Sequence, residues 1–250
     1  RLVSAGVGTE QVEQALVSSF PSTPIYRVDS DSMTQKGAMQ TLRDALETAQ
    51  GVLMVGTQML SKGHDFPRVT LVGVLDADSM LFNPDFRGEE RLLQLLTQVG
   101  GRAGRAQIAG KVMIQTRQPD HPLITQVLRT DYQILARQLL ALRAQQGLPP
   151  HGAVAAIRCD SRQLNEGLSF LQRISGLPVV QTTSQHCRVI GPLPAAMARR
   201  AGLYRSQLIV MAKTRTDLAH RIRALVEHAD SLKKPAGLAW FVDIDPVEPF

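Results

Sequence analysis

Two short apolar runs constrain the fold of this chain most strongly. Residues 52–55 read VLMV and residues 69–75 read VTLVGVL, each about one strand long. Strands covered by helices on both faces have this continuous apolar pattern, whereas strands with one solvent-exposed face alternate apolar and polar residues. Further strands are predicted at 25–29 and 111–115, and amphipathic helices at 9–20, 39–49 and 89–99, with Thr9 as the cap of the first. The alternation predicts an α/β fold with a parallel sheet and helices on both of its faces.

The segment Gly147-Leu148-Pro149-Pro150 is the strongest candidate for a domain boundary. Paired prolines can continue neither a helix nor a strand ladder. A long helix is predicted before it, over about 122–146. After it, the pattern predicts strand, helix, strand, strand, helix and strand at 154–159, 164–174, 187–190, 207–213, 218–226 and 238–244. This βαββαβ order is typical of ferredoxin-like α+β domains, so we expect domains at 1–147 and 148–250.

The positive charge is concentrated in the second of these regions. The chain carries 28 Lys and Arg against 22 Asp and Glu, a net charge of +6. Residues 1–150 have 15 basic and 14 acidic residues, and residues 151–250 have 13 and 8. Such an excess favours a polyanionic partner: nucleic acid, anionic lipid or an acidic protein tail. Aromatic residues are only 4% of the chain, too few for a platform that stacks many bases.

The sequence also limits the setting in which the protein works. Its longest apolar runs are too short to cross a bilayer and its first residues are not those of an export signal, so we expect a cytoplasmic protein with no membrane partner. The two cysteines, Cys159 and Cys187, lack the spacing of a zinc site, and no metal site is expected.

Residues 98–105, QVGGRAGR, carry the strongest chemical signal. Two arginines three positions apart, among glycines at the end of a helix, can direct both guanidinium groups at one polyanion. The pattern Q-x-x-G-R-x-G-R resembles motif VI of superfamily 2 helicases. The resemblance implies that Gln98, Arg102 and Arg105 face a nucleotide held by another motor lobe, with Arg105 as the arginine finger and Arg102 on the triphosphate. The alternative is a solvated basic loop.

Residues 56–67, GTQMLSKGHDFP, follow an apolar strand and resemble motif V of the same superfamily. Ligands bind at the carboxyl ends of parallel strands, so the position agrees with the motif. The resemblance implies that Gly63 and Asp65 lie near the nucleotide at the cleft between lobes. It also implies that Thr57 and Lys62 touch the nucleic-acid backbone. The alternative is that Gly63 makes a turn, Asp65 caps the next element and Lys62 is solvated.

The segments around these motifs are similar to the family of primosomal replication-restart helicases. They are GVGTE at 6–10, RVDSD at 27–31, VTLVGVLDAD at 69–78, DFRGEER at 85–91 and WFVDIDP at 240–246. The resemblance spans essentially the whole chain. It implies a second RecA-like motor lobe and the family's C-terminal domain. The activity implied is that of an ATP-dependent DNA helicase, with 3′–5′ translocation, that recognises stalled or branched forks and restarts replication by primosome assembly.

Two motor elements are missing from the sequence. It contains no G-x-x-x-x-G-K-[ST] phosphate-binding loop and no Asp-Glu box after an apolar strand. In the family these lie on the first lobe, which therefore is expected to hold most of the ATP and Mg²⁺. The family's zinc-binding cysteines are likewise expected outside this chain. We expect the chain alone neither to hydrolyse ATP nor to unwind DNA.

A basic cluster around Gly202 is the candidate contact surface of the second region. The resemblance implies that this domain touches single-stranded and branched DNA and helps to receive the acidic C-terminal tail of the single-stranded-DNA-binding protein, beside other primosome proteins. Arg199, Arg200, Tyr204 and Arg205 are the candidates for nucleic acid, and Arg215 is the candidate for the tail's carboxylate. A solvated basic face is the alternative.

Two other classes of function remain open at this stage. One is a non-enzymatic DNA- or partner-docking module whose motor motifs survive without use. The other is a different superfamily 2 motor, such as a branch-migration enzyme. That enzyme would share motif VI but not residues 85–87 or the ferredoxin-like region.

Overall fold

The computed structural model describes residues 8–28, 40, 42, 44–46, 51–56, 69–100, 110–127, 129–176 and 187–247. The chain divides into two compact units. The first consists of Arg1–Asn83 and Arg87–Tyr132, and the second of Pro84–Phe86 and Gln133–Phe250. In the part of the chain that is described, no helix is both long and apolar enough to cross a membrane.

The first unit contains both strands and helices, and its described strands pair in parallel. Strand β1 pairs in parallel with β2, and β3 pairs in parallel with β4. Parallel pairing is what the continuous apolar runs predicted. The elements are α1 (Thr9–Ser19), β1 (Ile25–Val28), β2 (Leu53–Gly56), β3 (Leu71–Val74), α2 (Asp78–Leu81), α3 (Gly88–Gly100), β4 (Lys111–Ile114) and α4 (Pro122–Val127).

Two local sequence predictions for the helices were wrong. Helix α1 begins at Thr9, and its N-cap is Gly8, without a side-chain cap. The helix predicted over 122–146 is two helices, α4 and α5 (Tyr132–Gln146). Thr130 and Asp131 lie between them, and such residues favour turns and helix caps because their side chains compete for backbone hydrogen bonds.

Helix α3 is held by one apolar face and by a close approach at its first residue. Its buried apolar side chains are Leu92, Leu93, Leu96 and Val99, at helical spacing. A Cβ atom at Gly88 would lie 2.5 Å from the carbonyl oxygen of Met80, so only glycine fits there. The sequence DFRG at 85–88 therefore fixes where this helix starts.

The second unit has the element order βαββαβ that the sequence predicted. Its four strands form one antiparallel sheet in the order β6–β7–β5–β8. The elements are β5 (Ala153–Ser161), α6 (Leu164–Ser175), β6 (Cys187–Arg200), β7 (Leu203–Ala212), α7 (Arg215–Ala229) and β8 (Ala239–Ile244).

The core of this unit lies between one face of the sheet and the helices α6 and α7. Phe170 and Leu225 are fully buried against Ile157 and Leu208 of the two central strands. The other face of the sheet buries a smaller set: Val154, Ala156, Ile209 and Met211. Both faces of β5 are thus covered. Burial also raises the pKa of the Cys159 thiol to about 11. Cys159 thus packs as a small apolar residue of this core.

Candidate nucleic-acid interface

The motif V segment begins at the carboxyl end of strand β2. Strand β2 ends at Gly56, the first residue of this segment. The four candidates within it, Thr57, Lys62, Gly63 and Asp65, lie outside the described residues. The strand position therefore agrees with the expected place of a ligand loop in a parallel sheet, and the roles of the four side chains stay predictions.

Of the three motif VI candidates, the structure describes only Gln98. It is exposed on the last turn of α3, beside the buried Val99. Arg102 and Arg105 lie outside the described residues. The amphipathic helix thus presents Gln98 to solvent directly before the glycine-rich segment, and its role toward a nucleotide stays a prediction.

Polar side chains connect the carboxyl ends of β3 and β4. The carboxylate of Asp78 accepts hydrogen bonds from the hydroxyl of Thr116 and, at 2.9 Å, from the backbone N–H of Arg117. These two bonds lower the pKa of Asp78, the Thr116 bond more than the Arg117 bond. No local pattern predicts this connection, because its partners lie 38 and 39 residues apart in the sequence.

The segment around Phe86 contacts helix α5 through an arginine that the sequence did not single out. The guanidinium of Arg143 lies 4.9 Å from the centroid of the Phe86 ring, a cation–π contact. An Arg143 N–H also donates to the carbonyl oxygen of Phe86 at 3.4 Å. The neighbouring Asp85 is almost fully buried, at 3% exposure. Residues 84–86 are thus part of the second unit.

The four nucleic-acid candidates of the second unit meet at the tip of the β6–β7 hairpin. Arg200 pairs with Leu203 across a two-residue turn, and Arg199 pairs with Tyr204. Both turn residues, Ala201 and Gly202, have positive φ, 50° and 82°. This is the geometry of a type I′ turn, which favours glycine. Gly202, at the centre of the basic cluster in the sequence, therefore lies in the turn that forms the tip of the hairpin.

The hairpin side chains have different partners. The Arg199 guanidinium lies 5.3 Å from the centroid of the Tyr204 ring. Arg205 Nε lies 3.7 Å from Asp160 Oδ1, an ion pair too long for a hydrogen bond. Arg199 and Arg200 are exposed, whereas Tyr204 and Arg205 are half-buried.

The hairpin lies within a long stretch of one charge sign. Residues 167–216 contain seven Lys and Arg and no Asp or Glu. This stretch includes Arg188, Arg199, Arg200, Arg205 and Arg215. Carboxylates from other parts of the chain, Asp160 and Asp245, contact Arg205 and Arg215. The remaining positive charge attracts polyanions over distances of about 10 Å at 0.1 M salt. The absence of acidic residues can be read from the sequence, and it indicates a polyanionic partner more strongly than the arginines alone.

Arg215 is the first residue of α7, as predicted. The helix is capped by Thr214, whose hydroxyl accepts a hydrogen bond from the Asp217 N–H at 3.0 Å. The Arg215 side chain is 84% exposed, and its Nη2 lies 3.2 Å from Asp245 Oδ2. The candidate for a partner's carboxylate therefore already contacts a carboxylate of its own chain.

Asp243 and Asp245, two positions apart, contact different arginines. Asp243 forms an ion pair with Arg158, at 3.1 Å, and the Arg158 side chain is only 10% exposed. Strand β8 ends at Ile244, and Asp245 has a positive φ of 50°. Alternation along the strand therefore does not extend to Asp245, and the two carboxylates serve different arginines.

Comparison with known proteins assigns both units. Residues 7–107 match the helicase conserved C-terminal domain, which gives the first unit a RecA-like α/β fold. Residues 144–247 match the primosomal protein N C-terminal domain. The chain thus carries a helicase C-terminal domain followed by a primosomal domain. It belongs to the PriA family of replication restart proteins.

Similar proteins are found in distant bacteria. The replication restart protein PriA of Haemophilus influenzae is 40% identical over 247 residues, which is 98% of this chain and 33% of that protein. That of Bacillus subtilis is 36% identical over 223 residues, 89% of this chain and 28% of that protein. That of Synechocystis is 42% identical over 205 residues, which is 82% of this chain and 24% of that protein. The chain therefore spans a third or less of the length of these relatives.

Proposed function

We propose that this chain forms the second motor lobe and the DNA- and partner-binding domain of an ATP-dependent DNA helicase. That helicase recognises stalled or branched replication forks and restarts replication by primosome assembly. The observation that carries the proposal is the exposed Gln98 at the end of α3, directly before Arg102 and Arg105, in a chain that matches both family domains. The relatives are named replication restart proteins, which supports the biological role.

The proposed domains are a RecA-like lobe at 1–147 and a ferredoxin-like domain at 148–250. The antiparallel order β6–β7–β5–β8 supports the second assignment, because a split βαβ unit places the first and third of its strands at the centre. The primosomal match begins at residue 144, close to the proline pair. All of helix α5 except Tyr132 groups by its contacts with the second unit, although the proposed lobe boundary at 147 places this helix in the lobe.

In the proposed motor, this chain supplies positive charge to a nucleotide that another lobe holds. Arg105 is the arginine finger, Arg102 contacts the triphosphate and Gln98 lies beside them. Gly63 and Asp65 approach the same nucleotide from the loop after β2. Guanidinium groups in such positions stabilise charge that develops only in the transition state. ATP and Mg²⁺ are held mainly by the lobe with the phosphate-binding loop, which this sequence lacks.

The proposed DNA contacts come from both units. Thr57 and Lys62 contact the backbone from the motif V loop. Arg199, Arg200, Tyr204 and Arg205 contact single-stranded or branched DNA from the hairpin. Their common position at one tip, in a stretch without carboxylates, supports this role.

The proposed partner site is Arg215, which receives the acidic tail of the single-stranded-DNA-binding protein. An incoming carboxylate would replace Asp245 on the guanidinium. Exposed ion pairs contribute about 1 kcal/mol or less, so this exchange costs little. Other primosome proteins are further proposed partners. A cytoplasmic location, and zinc bound by the longer protein outside this chain, complete the proposal.

The motor role is tested by ATP turnover of the chain alone and of the chain joined to an upstream segment with a phosphate-binding loop. We expect no turnover from the chain alone, because nothing in it can cradle β- and γ-phosphates. We expect turnover that DNA stimulates from the joined protein.

The alternative of a docking module without motor function makes the opposite prediction for the joined protein. If the chain is only a docking module, neither the chain alone nor the joined protein hydrolyses ATP, while DNA binding persists. Turnover by the chain alone would overturn the assignment of the phosphate-binding loop to another lobe.

A further inference from the structure

The tip of the β6–β7 hairpin carries a cation on each of its two faces. Tyr204 lies on the same face of β7 as Leu208, which packs into the helix-covered core. Arg199 is paired with Tyr204 and shares that face. Arg200 is the next residue, and because successive side chains of a strand point to opposite sides, it lies on the other face. The sequence cluster of arginines is therefore divided between two surfaces.

The two faces offer different chemistry. On the first, the exposed guanidinium of Arg199 lies 5.3 Å from the centroid of the half-buried Tyr204 ring, a pair suited to a nucleobase or a phosphate. On the second, Arg200 lies opposite Leu203, and Arg205 is partly engaged by Asp160 at 3.7 Å. Within the described residues, no ion pair involves Arg199 or Arg200. Each face thus keeps one exposed arginine for a ligand.

The hairpin is also shaped for contact on both sides. Its two strands lie about 5 Å apart, so the tip is a thin ribbon. Between Pro194 and Arg199 the register shifts, and residues 195–198 oppose the single residue Arg205. Bulges of this kind bend a strand and redirect its end. Residues 199–202 are all exposed, so both surfaces of the tip are open.

We propose that this hairpin contacts two separate DNA segments at a branch, one on each face. This rests on the proposed role of the hairpin in DNA binding and adds how it would distinguish a branched substrate. A single strand or a duplex lying on a one-sided surface engages the arginines of one face only. Two segments that diverge from a junction can engage Arg199 and Arg200 together. The charge of the surrounding stretch, seven basic and no acidic residues, suits two phosphate backbones.

The test compares Arg199→Gln with Arg200→Gln, two adjacent and chemically equal changes on opposite faces. The complete chain is titrated with a three-way fork, a linear duplex and a single strand of matched length, each at several salt concentrations. On the fork, each variant is expected to weaken binding about 3- to 10-fold and to lower the salt slope by about one unit. Their effects add in the double variant. On the single strand, only one of the two is expected to weaken binding. Arg223→Gln, an exposed change on α7, is the charge-matched control.

Each other outcome overturns a distinct statement. If both variants weaken all three substrates equally, one DNA segment contacts both faces, and the two-sided contact is wrong while the DNA-binding role stands. If one variant weakens every substrate and the other none, the hairpin is a one-sided surface. If neither variant changes any affinity relative to Arg223→Gln, the hairpin does not bind DNA, and its part of the proposed function fails as well.

Discussion

Replacing Arg105 by alanine in the complete helicase is expected to reduce DNA-stimulated ATP turnover by about 10³- to 10⁵-fold. The finger neutralises charge that appears only as the γ-phosphoryl group is transferred, so its loss lowers kcat rather than nucleotide affinity. DNA binding is expected to stay near normal, because the proposed role of Arg105 is to contact the nucleotide and not the DNA. Steady-state kinetics with saturating DNA, together with a direct DNA-binding titration, measure both.

The matched control for this change is Arg129→Ala, which removes an exposed arginine of the same unit outside both motifs. It is expected to leave turnover unchanged. If Arg105→Ala turns over ATP as fast as Arg129→Ala, the finger assignment is wrong. If Arg105→Ala loses DNA binding in parallel with turnover, the residue belongs to the DNA site instead.

Replacing Phe170 by alanine is expected to lower the free energy of unfolding of the second unit by about 3–5 kcal/mol. Phe170 is 1% exposed and packs at the centre of the core between α6 and the sheet, with its ring centroid 6.3 Å from that of Trp240. The close-packed neighbours relax only partly around the space that the ring leaves, which adds a cavity term to the loss of apolar burial. Because Trp240 is the only tryptophan of the chain, its fluorescence during denaturant unfolding follows this unit.

The control is Phe241→Ala, which also removes a phenylalanine ring. Phe241 lies on strand β8 next to Trp240 and is 45% exposed. This change is expected to cost about 1 kcal/mol or less. Phe170→Leu, which keeps most of the apolar volume, is expected to fall between the two and covers the case in which the alanine variant does not fold. Equal losses for Phe170→Ala and Phe241→Ala would contradict the core described above.

The sequence predicted those parts of the fold that local patterns determine. Continuous apolar runs predicted parallel pairing, which β1–β2 and β3–β4 have, without indicating which strands pair, and the periodicity after the proline pair predicted the βαββαβ order. Helix ends were less certain. The apolar spacing continued across Thr130 and Asp131 and hid the break between α4 and α5. Side chains that compete for backbone hydrogen bonds decided that break.

The candidate site was predictable as a set of residues but not as a geometry. The arginines around Gly202 could be found from composition, and Arg215 from its position at a helix start. Which face each arginine occupies depends on the register of β6 with β7, and a bulge alters that register. Arg158 and Asp243 form their ion pair across 85 residues of sequence, which no local pattern encodes.

The most direct test of the motor assignment is a structure of the complete helicase with a non-hydrolysable ATP analogue. We expect guanidinium nitrogens of Arg102 and Arg105 at about 2.7–2.9 Å from phosphate oxygens of a nucleotide held by the other lobe. If both side chains instead turn inward onto carboxylates of their own lobe and face no cleft, this chain does not supply the finger.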